Sequence, residues 1–245
     1  MKRFKIVGAL LLCTALTLTA CKKTEDIRDI ITDTSEGKGN NKGASGNAEE
    51  VELKKPDISE EALRKEESED RSIMSGEPDF SDCVIAIGSG VYKLPFSYKR
   101  ISDDWTFNLS DYGFDDSFRL GPGERTSDTV ILNKEGAGYN IVVGFYNPYD
   151  VACSVEEAYV YSISIDIRET GTDYPLMTLP GNLTWGASFK EIIEFAHPTE
   201  GFKKDEETGE LTLNFIYDYN NFLELVVGPT RGIAKVTVKT YEKGR

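Results

Sequence analysis

The chain has 245 residues, with 28 basic and 42 acidic side chains and a formal net charge of −14. So acidic a chain lacks the cationic footprint that nucleic-acid binding needs, which argues against that class of partner. Its 39% hydrophobic and 11% aromatic content is enough for one domain with a core of its own.

The chain opens with a basic head, Lys2, Arg3 and Lys5, followed by an uncharged run from Ile6 to Ala20. That is the layout of an export signal, with an apolar stretch short for a spanning helix. The run ends in LTLTACKK, residues 16–23, and Leu18-Thr19-Ala20-Cys21 resembles the lipobox of bacterial lipoproteins. The resemblance implies that residues 1–20 are a signal peptide, that the Cys21 thiol receives a diacylglyceryl group, and that cleavage makes Cys21 the mature N-terminus. A soft, ionisable nucleophile suits attack on the lipid donor. Acyl burial contributes about 0.8 kcal/mol per CH₂, and two chains anchor stably. Lys22 and Lys23 would lie against an anionic bilayer surface, each adding about 1 kcal/mol. In lipoproteins of double-membraned bacteria an Asp after the lipidated Cys favours retention at the inner membrane; Lys22 is not that signal, and the type of envelope stays open. The expected location is the outer face of a membrane in the cell envelope, with the lipid bilayer as first partner. Loss of residues 1–20 removes three basic side chains and leaves a mature charge of −17.

Residues 22–77 hold 16 acidic and 10 basic residues and no aromatic one, with Gly, Asn and Ser crowded into SEGKGNNKGASGN. Such a segment buries too little apolar area to offset its ordering entropy. Residues 21–77 are therefore expected to be a lipidated N-terminus and a disordered acidic spacer, reaching about 40 Å as a coil. Asp57 and Glu60 form a candidate capping box ahead of the helix formers SEEALRKEESEDR. With only Ile58, Ala62 and Leu63 apolar there, the sequence predicts a frayed, solvated helix.

Composition changes near Pro78, and residues 78–245, with a net charge of −11, read as a single folded domain. CVIAI (83–87) and VYKLP (91–95) flank Gly88-Ser89-Gly90, the pattern of a hairpin. SYKRISD (97–103) predicts a short helix. TVILN (129–133) and YNIVVGFYN (139–147) read as strands around a turn. YVYSISIDI (159–167) alternates, which puts Tyr159, Tyr161, Ile163, Ile165 and Ile167 on one face. TWGASFKEIIEFAHP predicts a helix with Ser188 as N-cap, Glu191 completing a capping box, and Phe189, Ile192, Ile193 and Ala196 facing a core. LTLNFIY (211–217), FLELVV (222–227) and IAKVTVK (233–239), with short turn-like links, predict an antiparallel meander.

The expected fold class is therefore α+β, short helices on antiparallel sheet. The order strand, helix, three strands occurs twice, opening at VYKLP and at LMTLP, which suggests a tandem β-α-β-β-β repeat with halves 78–170 and 171–245. Gly186, Ser188, Glu191 and Pro198 in NLTWGASFKEIIEFAHPTEGF resemble the small residue–Ser–x–x–Glu–helix–x–Pro segment of β-lactamase-inhibitor-protein-like domains and of outer-membrane assembly lipoproteins of the BamE type. That likeness implies a short helical element packed on antiparallel sheet, sometimes in tandem. It departs at His197, where such segments often carry Gly. An immunoglobulin-like β-sandwich is the competing fold, suggested by the alternating strand YNIVVGFYNPYD.

Little in the sequence points to catalysis. The only histidine, His197, sits at a helix end, where it suits the dipole better than a triad. No Ser lies in Gly-x-Ser-x-Gly, GPGER (121–125) lacks the Gly-Lys-Ser/Thr ending of a phosphate loop, and NLSDYG breaks the calcium-loop pattern at Tyr112. No catalytic residue, metal or cofactor is expected. Cys83 and Cys153 are the two thiols left in an extracytoplasmic setting. They would be either a disulfide or two separate buried side chains. Tyrosines crowd the first-half strands (Tyr139, Tyr146, Tyr149, Tyr159, Tyr161), and packing accounts for most of them; Tyr149 and Tyr219, on turns, are candidate partner contacts. The expected function is a membrane-anchored lipoprotein whose non-catalytic domain binds a macromolecular partner, an envelope or surface protein. The competing function is a cell-envelope enzyme using carboxylate chemistry on glycan.

Overall fold

The computed structural model describes residues 53–77, 79–168, 170, 174–218 and 220–241, which fall in one compact unit. Over these the chain is mostly antiparallel β-sheet with two α-helices. The strands are β1 (Val84–Ile87), β2 (Gly90–Lys93), β3 (Phe96–Ser97), β4 (Val130–Leu132), β5 (Ile141–Tyr146), β6 (Tyr159–Asp166), β7 (Met177–Leu179), β8 (Leu183–Thr184), β9 (Phe202–Lys204), β10 (Leu211–Tyr217), β11 (Asn221–Gly228) and β12 (Gly232–Thr240). The helices are α1 (Glu60–Met74) and α2 (Phe189–Phe195).

A small sheet runs β2-β1-β7-β8, and a large one runs β4-β5-β6-β12-β11-β10-β9, with β3 paired to the start of β6. The alternation read in the sequence sets the large sheet's inner face. Two apolar rows cross five strands in register, Val143–Ile163–Val238–Leu223–Phe215 and Ile141–Ile165–Val236–Leu225–Leu213. None of the ten side chains is more than 2% exposed. One core joins these rows to Ile85 and Met177 of the small sheet, to Ile192 of α2 and to Phe80. Burial of this kind is the main favourable term in the fold.

The capping box at α2 forms as the sequence reads it: Glu191 accepts from the Ser188 amide and hydroxyl at 2.7 Å, and Ser188 Oγ accepts from the Glu191 amide at 3.3 Å. Close backbone approach then seats this helix. Gly232 has φ +65°, and a Cβ there would lie 2.1 Å from the Gly186 carbonyl oxygen. Only glycine lets the loop before α2 meet the start of β12, where Ile233 N donates to Ala187 O at 2.9 Å.

The spacer reading needs correction over residues 60–74. The helix there packs on the domain, and its cap is Ser59, whose Oγ accepts from Ala62 N at 3.3 Å; Asp57 instead accepts from Ser59 N at 3.0 Å. What holds α1 is polar. Its one fully buried side chain is Asp70, whose carboxylate accepts from Arg100 Nη1 at 2.5 Å and from the Lys93 amide at 2.9 Å. Glu66 lies 3.5 Å from the same guanidinium and accepts from the Tyr159 hydroxyl at 2.5 Å. Arg100 Nη2 also donates to Val91 O at 2.6 Å, and Arg71 Nη2 to Ser89 O at 2.8 Å. Residues 91 and 93 lie along the outer edge of β2, and residue 89 immediately precedes that strand. Side chains of α1 and Arg100 thus satisfy backbone groups that a further strand would otherwise take. A count of apolar residues misses such a helix because charge and hydrogen bonding dock it.

Candidate interaction surface

The outer face of the large sheet carries the other half of the alternation. Across β6, β12 and β11 it presents Ser164–Thr237–Glu224 and Ser162–Lys239–Phe222 in register. Apart from buried Ser162, these side chains are partly exposed. The middle of the face is low, with Ser164 Oγ and Thr237 Oγ1 sharing a hydrogen bond of 2.9 Å. At one end stand ion pairs: Arg168 with Asp166 at 2.6 Å and Lys235 with Glu224 at 2.9 Å.

At the other end is an aromatic and cationic cluster, and a β-bulge builds it. The register of β5 against β6 slips between Gly144 and Phe145, leaving Tyr161 as the extra residue. Expected on the core face by alternation, Tyr161 lies instead with Lys239 and Asp128 on the outer face, while Val160 takes the core position. Its ring occupies the space over Gly144: a Cβ at 144 would come within 2.6 Å of Tyr161 Cε1 and 2.8 Å of Asp128 Oδ1. The Tyr161 hydroxyl reaches Asp128 Oδ1 and lies 2.9 Å from Thr126 O. Burial, then the bond to Asp128, push this phenol well above its ordinary pKa. Lys239 donates to Asp128 Oδ2 and stands 4.7 Å from the Tyr241 ring centroid. Burial pulls the Lys239 pKa down, but Asp128 and Tyr241 outweigh it and hold it above the ordinary lysine value.

Arg125 completes the cluster. It bridges Tyr146 through the backbone, stacks its guanidinium 4.2 Å from the Tyr146 ring centroid, and lies 5.5 Å from Tyr161 and 5.7 Å from Tyr241. Nη2 donates to Tyr241 O at 3.1 Å. Tyr241 is 46% exposed, whereas Tyr146 and Tyr161 are buried and back the Arg125 guanidinium from beneath. An Arg set among tyrosines at the end of an accessible face is the composition that protein–protein hot spots favour.

The sequence-expected site residues fare differently. Cys21 and Tyr219 lie outside the described residues. Tyr149 is not a rim residue: it is 4% exposed. Asn147 turns it inward, its Oδ1 accepting from Tyr149 N at 2.9 Å while its Nδ2 donates to Leu120 O at 2.8 Å and Val151 O at 2.9 Å. The chain leading into α1 runs beside this turn, with Lys54 N donating to the Asp150 carboxylate at 2.7 Å. Burial lifts the Tyr149 phenol to about 12. Cys83 and Cys153 are separate buried thiols, not a disulfide. Cys83 points its sulfur at Lys239 O, 3.6 Å away, while Cys153 bridges Leu120 and has its thiol pushed by burial up to about 11. His197 is exposed just past α2.

Of the cluster, Tyr146 and Tyr161 were visible in the sequence as members of an aromatic-rich stretch. Arg125, Asp128, Lys239 and Tyr241 were not. The period-two series Lys235, Thr237, Lys239, Tyr241 marks the outer face of β12, but nothing local ties Arg125, in a loop, to that face. Among the described residues no group of three or more His, Cys, Asp or Glu is placed to hold a metal ion, and no helix is long and apolar enough to cross a membrane. Compared with models of protein families, with curated proteins and with solved structures, the chain matches none.

Proposed function

We propose that the chain is a lipid-anchored protein of the outer membrane face, a non-catalytic binder whose folded unit captures a protein of the cell envelope or surface. The reading rests on the Leu18–Cys21 lipobox pattern and the acidic spacer after it, and the observation that carries the binding part is the partly exposed trio Arg125, Lys239 and Tyr241, backed by buried Tyr146 and Tyr161, at the end of a partly exposed sheet face. The acidic surface repels other copies and anionic polymers and steers basic partners.

The finer architecture reads as a duplication rather than an immunoglobulin-like sandwich. Each half supplies a hairpin to the small sheet (β1–β2 and β7–β8), then a helical passage, then a three-strand meander to the large one (β4–β6 and β10–β12). The two opening strands pair with each other, as do the two closing strands, β1 with β7 and β6 with β12. A chain built from two similar halves about a pseudo-two-fold would produce that symmetry. The outer sheet face then spans the seam between halves, where a partner meets both.

A photo-crosslinking amino acid at position 241, with one at exposed Lys190 on α2 as control, tests the binding part in intact cells. The expected result is a discrete adduct from 241 and none from 190. Identical patterns from both positions, or none from either, would overturn it.

A further inference from the structure

Arg125 is a cation without an acidic partner among the described residues, although acidic residues outnumber basic ones 42 to 28 in the chain. The acids near it in sequence are turned elsewhere: Glu124 accepts from Gly121 N at 2.7 Å, and Asp128 is engaged by Tyr161 and Lys239. Its Nε is buried with no hydrogen-bond partner, and only Nη2 is used, on a backbone carbonyl. That burial puts Nε out of reach from outside, so the donors left for a ligand are Nη1 and the second hydrogen of Nη2. The Tyr146 ring meanwhile holds the guanidinium plane in place, so little side-chain entropy remains to be lost when a ligand binds.

We propose that Arg125 is the receptor for a carboxylate, an Asp or Glu side chain of the partner protein, delivered onto the outer sheet face from a surroundings of basic residues. This deepens the function proposed above and rests on it. The outer edge of the guanidinium, Nη1 with Nη2, is a planar pair of donors that matches a carboxylate in two-point contact. The charge of −11 over residues 78–245 sets the rest of the partner's chemistry. A polyanion such as a phosphate polymer is repelled over most of the surface, whereas a basic protein offering one acid at the centre is attracted everywhere and held at one point.

The test pans a displayed library of random twelve-residue peptides on the full mature chain, with R125A, R125K and Y241A as parallel baits whose thermal melting is checked against the wild type. Peptides retained by the wild type are expected to carry an Asp or Glu flanked by Lys or Arg. Their affinity is expected to fall at least tenfold on R125A and to stay low on R125K, which keeps the charge and loses the fork. R125Q serves in place of R125A if the latter melts early. Retained peptides that lack acids but depend on Tyr241, or acidic peptides indifferent to R125A, would overturn the carboxylate assignment and leave the binding face standing. Failure to enrich any peptide would count against the face itself and the assignment with it. Retention of inorganic polyphosphate by the wild type and not by R125A would assign the site to phosphate and overturn the carboxylate.

Discussion

Gly144 decides where Tyr161 goes. With no side chain at 144, the bulged tyrosine lies across β5 and reaches Asp128; with a methyl group there, the ring and the carboxylate would both have to shift. Gly144→Ala is therefore expected to cost about 1–3 kcal/mol, the usual range for overpacking, read as a lower urea midpoint with little change in slope. A midpoint equal to wild type would mean that the ring has room to move and that the bulge does not depend on the glycine. Legibility at this scale was uneven for a physical reason. Alternation alone puts Ile163 and Ile165 in the core, as observed, but a bulge adds one residue and shifts the parity at that point, so Tyr161 lies on the outer face. Tyr149 sits in the sequence Asn-Pro-Tyr-Asp, which reads as an exposed turn; the Asn147 bond to the Tyr149 amide is local, but the Asn147 bond to Leu120 O that ties the turn to the core spans 27 residues and has no local signal.

At the scale of elements, the strands and the capped helix were readable because hydrophobic period and turn chemistry are local. The hairpin at 83–95, the strands at 129–147 and the final meander all stand where the sequence puts them. α1 carries no such local signal, because its docking is long-range and ionic. The Arg100 side chain is 5% exposed and that of Asp70 1%, so each neutralises a charge the other could not bury alone. Asp70→Ala leaves the guanidinium with Glu66 at 3.5 Å as its remaining acid. Removal of one partner of a buried pair typically costs about 3–5 kcal/mol. Loss of that order is expected in chemical denaturation, together with faster hydrogen exchange at the Lys93 amide, whose acceptor has gone. A chain begun at residue 78, the boundary that composition suggests, lacks Asp70 and Glu66 altogether and is expected to be less stable than one begun before residue 53 and more prone to associate through the uncovered edge of β2. Equal stability and a monomeric state for both would show that α1 is dispensable.

The whole molecule has a pH response that follows from its buried acids. Burial raises the Cys153 thiol to about 11 and the Tyr98, Tyr149 and Tyr217 phenols to about 12. A group whose folded pKa is raised stabilises fully below its unfolded value and loses that contribution as pH climbs toward the folded one. Unfolded thiols and phenols ionise near about 8.5 and 10. Stability is thus expected to hold from neutrality to about pH 9 and to fall steadily toward pH 12, with Cys153→Ser shifting only the start of the decline. A flat profile to pH 11 would mean that these groups titrate freely in the folded state. Composition gave the sign of the net charge, the core-forming region and the case against nucleic acid. The pairing of β1 with β7 and of β6 with β12 required the register, which no single strand contains.

The proposed location and anchoring of the protein turn on where the mature chain begins and what it carries. Intact-mass and N-terminal peptide analysis of protein extracted from native membranes tests this most directly. The expected product starts at Cys21, with residues 1–20 gone and the mass of a diacylglyceryl group on the sulfur. A chain retaining Met1, or one starting at Cys21 with an unmodified thiol, would contradict it.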